Sequence, residues 1–454
     1  MRVVRNANTP AVECLEGRTL LSGVPLGVSE VAYAGGTQLH LLGTAGNDAI
    51  TVKQTAGGLV VGNAGGWTET ITKTYTSLWI GTGNGNDSIV MDASVHTAAT
   101  LMGGNGNDTL VGGSGIDNLY AGGTGRKMLV AGSGDDVLVS LGATAATLVG
   151  GAGHDSFWTD NTTAEKVTKV TAAETKSGSV HKVGGFYNQG GTVAASKPGG
   201  MAKTLAVHAL SEPVAESGTS YANFSNDPLF AMNGPTEADV KQGNTGDCYY
   251  LAVLSSVAKV DPWRIRESIV DLGDGTFAVQ MMKNGRNVYV RVDAKLATWS
   301  GGDVTYAALG DENSLWTALM EKAFCYVRTG AASYASIDGG WMDEAYTSLG
   351  TTPSDIFAAD SAGSLLSQIE AQLKAGKSVT YATDTAPAGA ALLDGHAYVV
   401  ESVGFDAKGN PTTLRLRNPW GIDGAGNDGS DDGYVTVTAA QAFTAFTGVV
   451  YATV

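Results

Sequence analysis

A nine-residue ruler laid along residues 103–158 returns one phrase repeatedly. It reads GGNGNDTLV at 103–111 and GGSGIDNLY at 112–120, then, past one inserted residue, GGTGRKMLV at 122–130 and AGSGDDVLV at 131–139. Past another insertion come LGATAATLV at 141–149 and GGAGHDSFW at 150–158, and looser copies stand earlier, GTAGNDAIT at 43–51 and TGNGNDSIV at 82–90. A short fixed period means that one small unit stacks on the next, because no single copy can bury its own apolar face. Glycine supplies the tight turns that need positive φ. Each full copy contributes one aliphatic side chain, Leu110, Leu119, Leu129, Leu138 or Leu148, to an interior. Glycines number 63 and crowd into the first two hundred positions, so two different architectures share this chain.

The pattern resembles the calcium-binding nonapeptide repeat of RTX-type proteins, G-G-x-G-x-D-x-U-x. The resemblance implies an all-β parallel β-roll of glycine-rich repeats, one turn and one short strand per copy, with calcium between turn n and turn n+2. The sixth positions then segregate by side. Asp117, Asp136 and Asp155 fall on one flank, and Asp108, Lys127 and Ala146 on the other. Calcium needs several oxygen ligands, and an ammonium in a ligand position abolishes a site. The expectation is one flank that binds calcium and one that has lost it, with Asp108 the weaker candidate. A metal-free solenoid or a disordered segment is the alternative.

Length and charge bound the rest. The 454 residues suffice for two or three domains. A formal charge of -16 with no dense Lys/Arg cluster disfavours nucleic acid and anionic membranes as partners and suits divalent cations. Three cysteines, Cys14, Cys248 and Cys325, are too few for a disulfide framework, and Cys325 reads as core packing. No stretch is long and apolar enough to span a bilayer. Residues 12–22 resemble the V-E-x-L-E-x-R-x-L-L-S segment that opens many large exported bacterial proteins, which implies an extracellular or cell-surface location by an export route left open. The expected divisions are an export-like segment at 1–30, the roll at 31–158, a linker at 159–222 with His181 and His208 solvated, and a globular domain at 223–454.

That last domain is built around QGNTGDCYYLAVLSS, residues 242–256. Leu251, Leu254 and Val257 share one helical face, and Gly246 and Asp247 suit the turn and cap before it. Asp247 is therefore read as a cap or turn residue. Cys248 sits at a helix N-terminus, where free amides and the helix dipole favour the thiolate. Such a thiol needs a base, and His396 is the one histidine beyond the expected linker. TFAVQMM and NVYVRVDAKL read as strands joined at Lys283–Arg286, SLWTALMEKAFCYV and GSLLSQIEAQLKAG as helices, and HAYVVESVGFD with TTLRLRN as a hairpin about Gly409-Asn410. GYVTVT adds a strand. Helices first and antiparallel strands later make an α+β arrangement.

Here residues from about 223 to 454 resemble the protease core of the calpain family of papain-like cysteine peptidases. The block Q-G-x-x-G-D-C-W/Y is met at Gln242, Gly243, Gly246, Asp247, Cys248 and Tyr249. G-H-A-Y is met at Gly395–Tyr398, and R-N-P-W-G at Arg417–Gly421. SLWTALMEKAF and the stretch Gly339–Gly350 follow the family's helix and glycine-rich turn. The resemblance implies a two-lobed protease acting on protein or peptide substrates. Cys248 would attack the carbonyl to give a thioester, and His396 would pair with the thiolate and then protonate the leaving amine. Asn418 would fix the imidazole tautomer, Trp420 would shield that contact, and Gln242 would donate to the oxyanion. Departures are also legible. Ala335 stands where the family often has an acidic calcium ligand, so its internal calcium sites are not carried over. No further domain is expected after Val454, and Gly424–Asp432 reads as a solvated loop more than a calcium loop. Two rivals stay open: an acyl transferase or cross-linking enzyme using the same Cys–His chemistry, and a non-catalytic calcium-binding surface protein.

Overall fold

The computed structural model describes residues 26–33, 36–63, 65–188, 210–425 and 430–454. Cys14, His208, the export-like segment up to residue 25 and the tip of the 424–432 loop lie outside them. The chain forms two compact units, one running to Asp155 and taking in Lys166–Val170, the other holding Ser156–Glu165 and Thr171–Val454.

The repeats wind into a parallel β-solenoid over residues 27–183. Successive copies alternate between two sheets. Gly36–Leu42, Ser77–Gly81, Ala99–Met102, Asp117–Tyr120 and Val137–Val139 follow one another in the first. Ala49–Thr55, Ser88–Met91, Asp108–Val111, Arg126–Val130 and Ala145–Val149 do so in the second. Register is set by the aliphatic residue of each copy. Ile50, Ile89, Leu110, Leu129 and Leu148 stack as one buried ladder, and Leu41, Ile80, Leu101, Leu119 and Leu138 as the other. Burying each such side chain is worth roughly 2–3 kcal/mol, and a one-residue slip would expose a whole ladder. The turns are too tight for side chains: at Gly106, with φ at 126°, a Cβ would lie 1.5 Å from the Gly85 carbonyl oxygen.

The solenoid runs past the boundary expected at 158. Strands Ser156–Asp160, Glu165–Thr168 and Val180–Val183 and the helix Ala172–Ser177 occupy the first part of the presumed linker. The helix starts on a full capping box, Thr171 with Glu174, a T-x-x-E signature within the Thr/Ala-rich text. His181, expected to be solvated, is buried. Its ring stacks on Trp158 with centroids 3.9 Å apart, and its nitrogens meet Glu267 and Gln280 at 2.8 Å each. The reason is pairing: Val180–Val183 lies parallel to Ser156–Asp160, and alternation turns His181 and Val183 inward.

The rest of the second unit is α+β with two cores. In the first, the helix Cys248–Val260 is buried from Tyr249 to Ala258 and packs with the helix Trp316–Val327 and the sheet Ile269–Asp271, Thr276–Lys283, Arg286–Asp293. Positive φ at Asn284 and Gly285, 51° and 71°, closes the hairpin as the sequence implied. Cys325 lies in this core, fully buried. The second core lies under a six-stranded antiparallel sheet in the order Ser354–Ile356, Phe446–Ala452, Ser378–Thr383, Ala397–Phe405, Pro411–Arg417, Tyr434–Thr438. The helices Ala362–Lys374 and Ala439–Ala445 contribute to it.

Candidate active site and the acidic ladders of the roll

Cys248 is the first residue of its helix, so its own amide and that of Tyr249 lack intrahelical partners, while the Tyr250 and Leu251 amides donate to the Asp247 carbonyl at 2.8 and 3.1 Å. The backbone N–H of Ala397, the residue after His396, is near enough to the sulfur to favour its ionised form. His396 opens the strand Ala397–Phe405. Its amide donates to Thr383 Oγ1 at 2.9 Å and its carbonyl accepts the Thr383 N–H. Its Nε2 and Asn418 Oδ1 are 2.9 Å apart. The Asn418 amide is oriented from both ends, since Oδ1 also accepts the Trp420 N–H at 3.0 Å and Nδ2 donates to the Asp423 carbonyl at 3.1 Å. An oxygen facing Nε2 makes that nitrogen the N–H and leaves Nδ1 with the lone pair. Trp420 packs edge-on against the imidazole, centroids 5.2 Å apart.

Gln242 is tied to the same loop: its backbone N–H donates to the Pro419 carbonyl at 2.8 Å. Its Nε2 gives one proton to the Thr245 carbonyl at 2.6 Å, which leaves the second for a ligand. Gln242, Gly243, Asn244, Thr305, Trp420 and Ile422 line an open depression there. Arg417, which motif reading did not assign a role, is buried and donates to Ser255 Oγ and the Val240 carbonyl at 3.0 Å each, fastening the strand before Asn418 to the cysteine helix.

Electrostatics differ from the sequence expectation of a thiolate. Burial pushes the Cys248 thiol up to about 11, against the backbone N–H of Ala397, which pulls it down. Burial likewise lowers His396 to about 4, with the Asn418 contact working the other way. Desolvation thus opposes the charged form of each group. Asp247 also departs from its expected part. Its carbonyl caps the helix, but its side chain makes no capping bond and is wholly buried.

In the roll, sixth-position residues form ladders. Asp117 Oδ1 accepts the Ala99 N–H, Asp136 Oδ1 that of Asp117, and Asp155 Oδ1 that of Asp136, at 2.9, 2.8 and 3.2 Å. All three are buried, and Asp136 Oδ2 has no partner. On the other flank Lys127 sits in register between Asp108 and Ala146. Its ammonium, fully buried, pairs with Asp108 and donates to the Gly104 carbonyl at 2.5 Å. The looser copies extend this flank: the Asp48 N–H meets Asp87 Oδ1 at 2.8 Å and the Asp87 N–H meets Asp108 Oδ1 at 3.0 Å. Among the described residues no three acidic, histidine or cysteine side chains converge as a ready metal cluster. A cation in the roll would draw on turn carbonyls as well as aspartates.

A cysteine at a helix start, an imidazole facing an amide oxygen and a glutamine with an unused donor stand on the three segments that the sequence motifs single out. The model of the calpain family cysteine protease matches residues 219–434, and that stretch carries a calpain-family protease domain. Relatives include calpain-8 of Mus musculus, 30% identical over 211 residues, covering 43% of this chain and 29% of that protein. Calpain clp-4 of Caenorhabditis elegans is 32% identical over 225 residues (45% and 31%). The calpain-1 catalytic subunit of Bos taurus is 32% identical over 237 residues (46% and 31%). The chain thus spans under a third of the length of these relatives. Among the described residues no helix is long and apolar enough to cross a membrane.

Proposed function

We propose that the protein is a cysteine endopeptidase in which Cys248, His396, Asn418 and Gln242 carry the reaction. The observation that supports this most is a chain of contacts. The Ala397 N–H lies near the sulfur of Cys248 and favours its ionised form, and the neighbouring His396 is held by Asn418 through Nε2. With that tautomer fixed, Nδ1 of His396 takes the thiol proton as the sulfur attacks the peptide carbonyl. The C–N bond then breaks, the amine leaves with the proton held by the imidazole, and a thioester stays on Cys248. Water, deprotonated by the same nitrogen, releases the acid and restores the thiol. The second Nε2 proton of Gln242 and the free backbone amide of Cys248 serve the oxyanion of both steps.

The roll fits calcium at Asp117, Asp136 and Asp155. Buried, stacked carboxylates with an orphaned oxygen at Asp136 call for a cation; on the opposite flank the Lys127 ammonium meets Asp108, while Asp87 Oδ2 keeps no hydrogen-bond partner. Calcium there would supply charge neutralisation between rungs and so couple folding of the roll to the medium. An extracellular or cell-surface setting follows from that need together with the export-like segment at 12–22.

Casein hydrolysis with and without calcium, on wild type and Cys248→Ala, tests the reading. Hydrolysis lost in Cys248→Ala is expected; equal turnover by both would overturn it. Covalent labelling by the epoxide E-64 reports the thiol independently. An added amine separates hydrolysis from acyl transfer, since only a transferase would give the amide product in excess of the acid.

A further inference from the structure

Behind the nucleophile lies an acid pair that the reaction above does not use. Asp247 immediately precedes Cys248, is wholly buried, and its carboxylate oxygens meet no lysine, arginine or capping amide. The carboxyl of Glu321, equally buried on the helix Trp316–Val327, faces it within hydrogen-bonding reach. Glu321 Oε2 accepts the Ala307 N–H at 2.9 Å, which leaves Oε1 for Asp247. Two carboxylates in one dry space cannot both ionise.

The surroundings do not relieve them. Arg328 favours an ionised Asp247 but is itself bound to Glu344 and the Ser336 carbonyl, and Asp338, bound to the Gly246 N–H, opposes it. Lys322, next to Glu321 in sequence, is engaged with Asp293 and Glu212. The other titratable neighbours are Cys248, Tyr249, Tyr250 and Cys325, with Tyr306 and Tyr334 beside Glu321. Burial holds every one of them neutral.

We propose that Glu321 keeps its proton at neutral pH and donates it to Asp247, and that this pair is a positioning element setting the charge behind the Cys248 sulfur. The proposal rests on Cys248 as the nucleophile. Burial raises the Asp247 carboxyl to about 7 and Glu321 well above its ordinary range. The pair therefore holds two protons in acid and one at and above neutrality. An ionised Asp247 works against the thiolate one residue away, so its protonation below neutrality lifts that opposition.

The test uses the full chain in a Cys14→Ser background. Infrared difference spectra of wild type against Glu321→Gln at pH 7.5 are expected to show a protonated-carboxyl stretch lost in the variant; no such band overturns the shared proton. Iodoacetamide alkylation of Cys248 across pH reads the charge. Asp247→Asn is expected to speed it about tenfold at pH 8, one unit of thiol ionisation. Glu321→Gln, which keeps a donor to Asp247, should change it less than about twofold at that pH. Equal rates in wild type and both variants would sink the positioning role. Where Asp247→Asn does not fold, the infrared band and the Glu321→Gln profile decide. Wild type inactive on casein with the band intact removes the peptidase reading alone; active wild type without the band removes the pair alone.

Discussion

Asn418 Oδ1 receives two donors at once, the imidazole Nε2 of His396 at 2.9 Å and the backbone N–H of Trp420 at 3.0 Å. The second donor fixes the first, because the amide cannot rotate without losing the Trp420 bond. Asn418→Ala leaves the imidazole tautomer unforced. It should lower kcat on a peptide substrate about a hundredfold with little change in KM. Unchanged kcat would remove Asn418 from the mechanism.

The acid limb of kcat/KM should lie near pH 4, since burial lowers His396 to about 4 and its neutral form is the base. The same shift is a stability statement. A base whose folded pKa is below its ordinary 6.5 contributes stability present above pH 6.5 and lost as pH falls through 4. A limb at 6 to 7 in the free enzyme would show that His396 is not desolvated as described.

Gln242→Ala removes one oxyanion donor and should cost about a hundredfold or more in kcat. Because the Gln242 backbone N–H and not its side chain holds Pro419, the fold should survive the change. A melting temperature equal to wild type with depressed kcat is the expected pairing.

Arg417→Met deletes two hydrogen bonds from a buried guanidinium to Ser255 and the Val240 carbonyl and leaves that carbonyl unpartnered. Urea unfolding should report a loss of about 3 kcal/mol. A loss below about 0.5 kcal/mol would mean that water replaces the clamp.

In the roll, burial raises Asp117 to about 7 and Asp136 to about 8. Carboxyls with raised folded pKa values stabilise fully below about pH 4, and that stability is lost as pH rises through 7 and 8. Calorimetric melting should therefore show the roll weakening from pH 4 to 8 without calcium and recovering with it. Asp136→Ala should weaken calcium binding, read by isothermal titration, at least tenfold, and Asp108→Ala far less. Equal losses would mean that the flanks are equivalent.

The parts of this molecule legible in the sequence are those written locally. One aliphatic residue per nine, in glycine-rich turns, marked Leu110, Leu119, Leu129, Leu138 and Leu148 of the two ladders and the alternation that separates Asp117, Asp136 and Asp155 from Lys127, but not Leu41, Ile80 and Leu101. The cysteine, histidine and asparagine blocks lie on or beside one helix and two strands, Cys248–Val260, Ala397–Phe405 and Pro411–Arg417, and the middle one of these packs with the other two. Non-local pairing was not legible. Asp48 and Asp87 join the Asp108 flank, yet an antiparallel excursion over Gly58–Ile71 interrupts the period between them. His181 read as solvated because nothing in its own neighbourhood announces Glu267, 86 residues away. Asp247 read as a cap because Glu321 lies on another helix. The two charges within MEKAF, inside an apolar run, were the one signal available.

Lys127 gives the roll one edge whose counter-ion is inherited and cannot be washed out. Chelators, dilution and competing cations act only on what is exchangeable, so they should loosen the Asp136 edge and leave the Asp108–Lys127 edge zipped. With calcium on the Asp136 edge as proposed, removing it would slacken one side of the roll and not the other, so the solenoid would bend before it came apart.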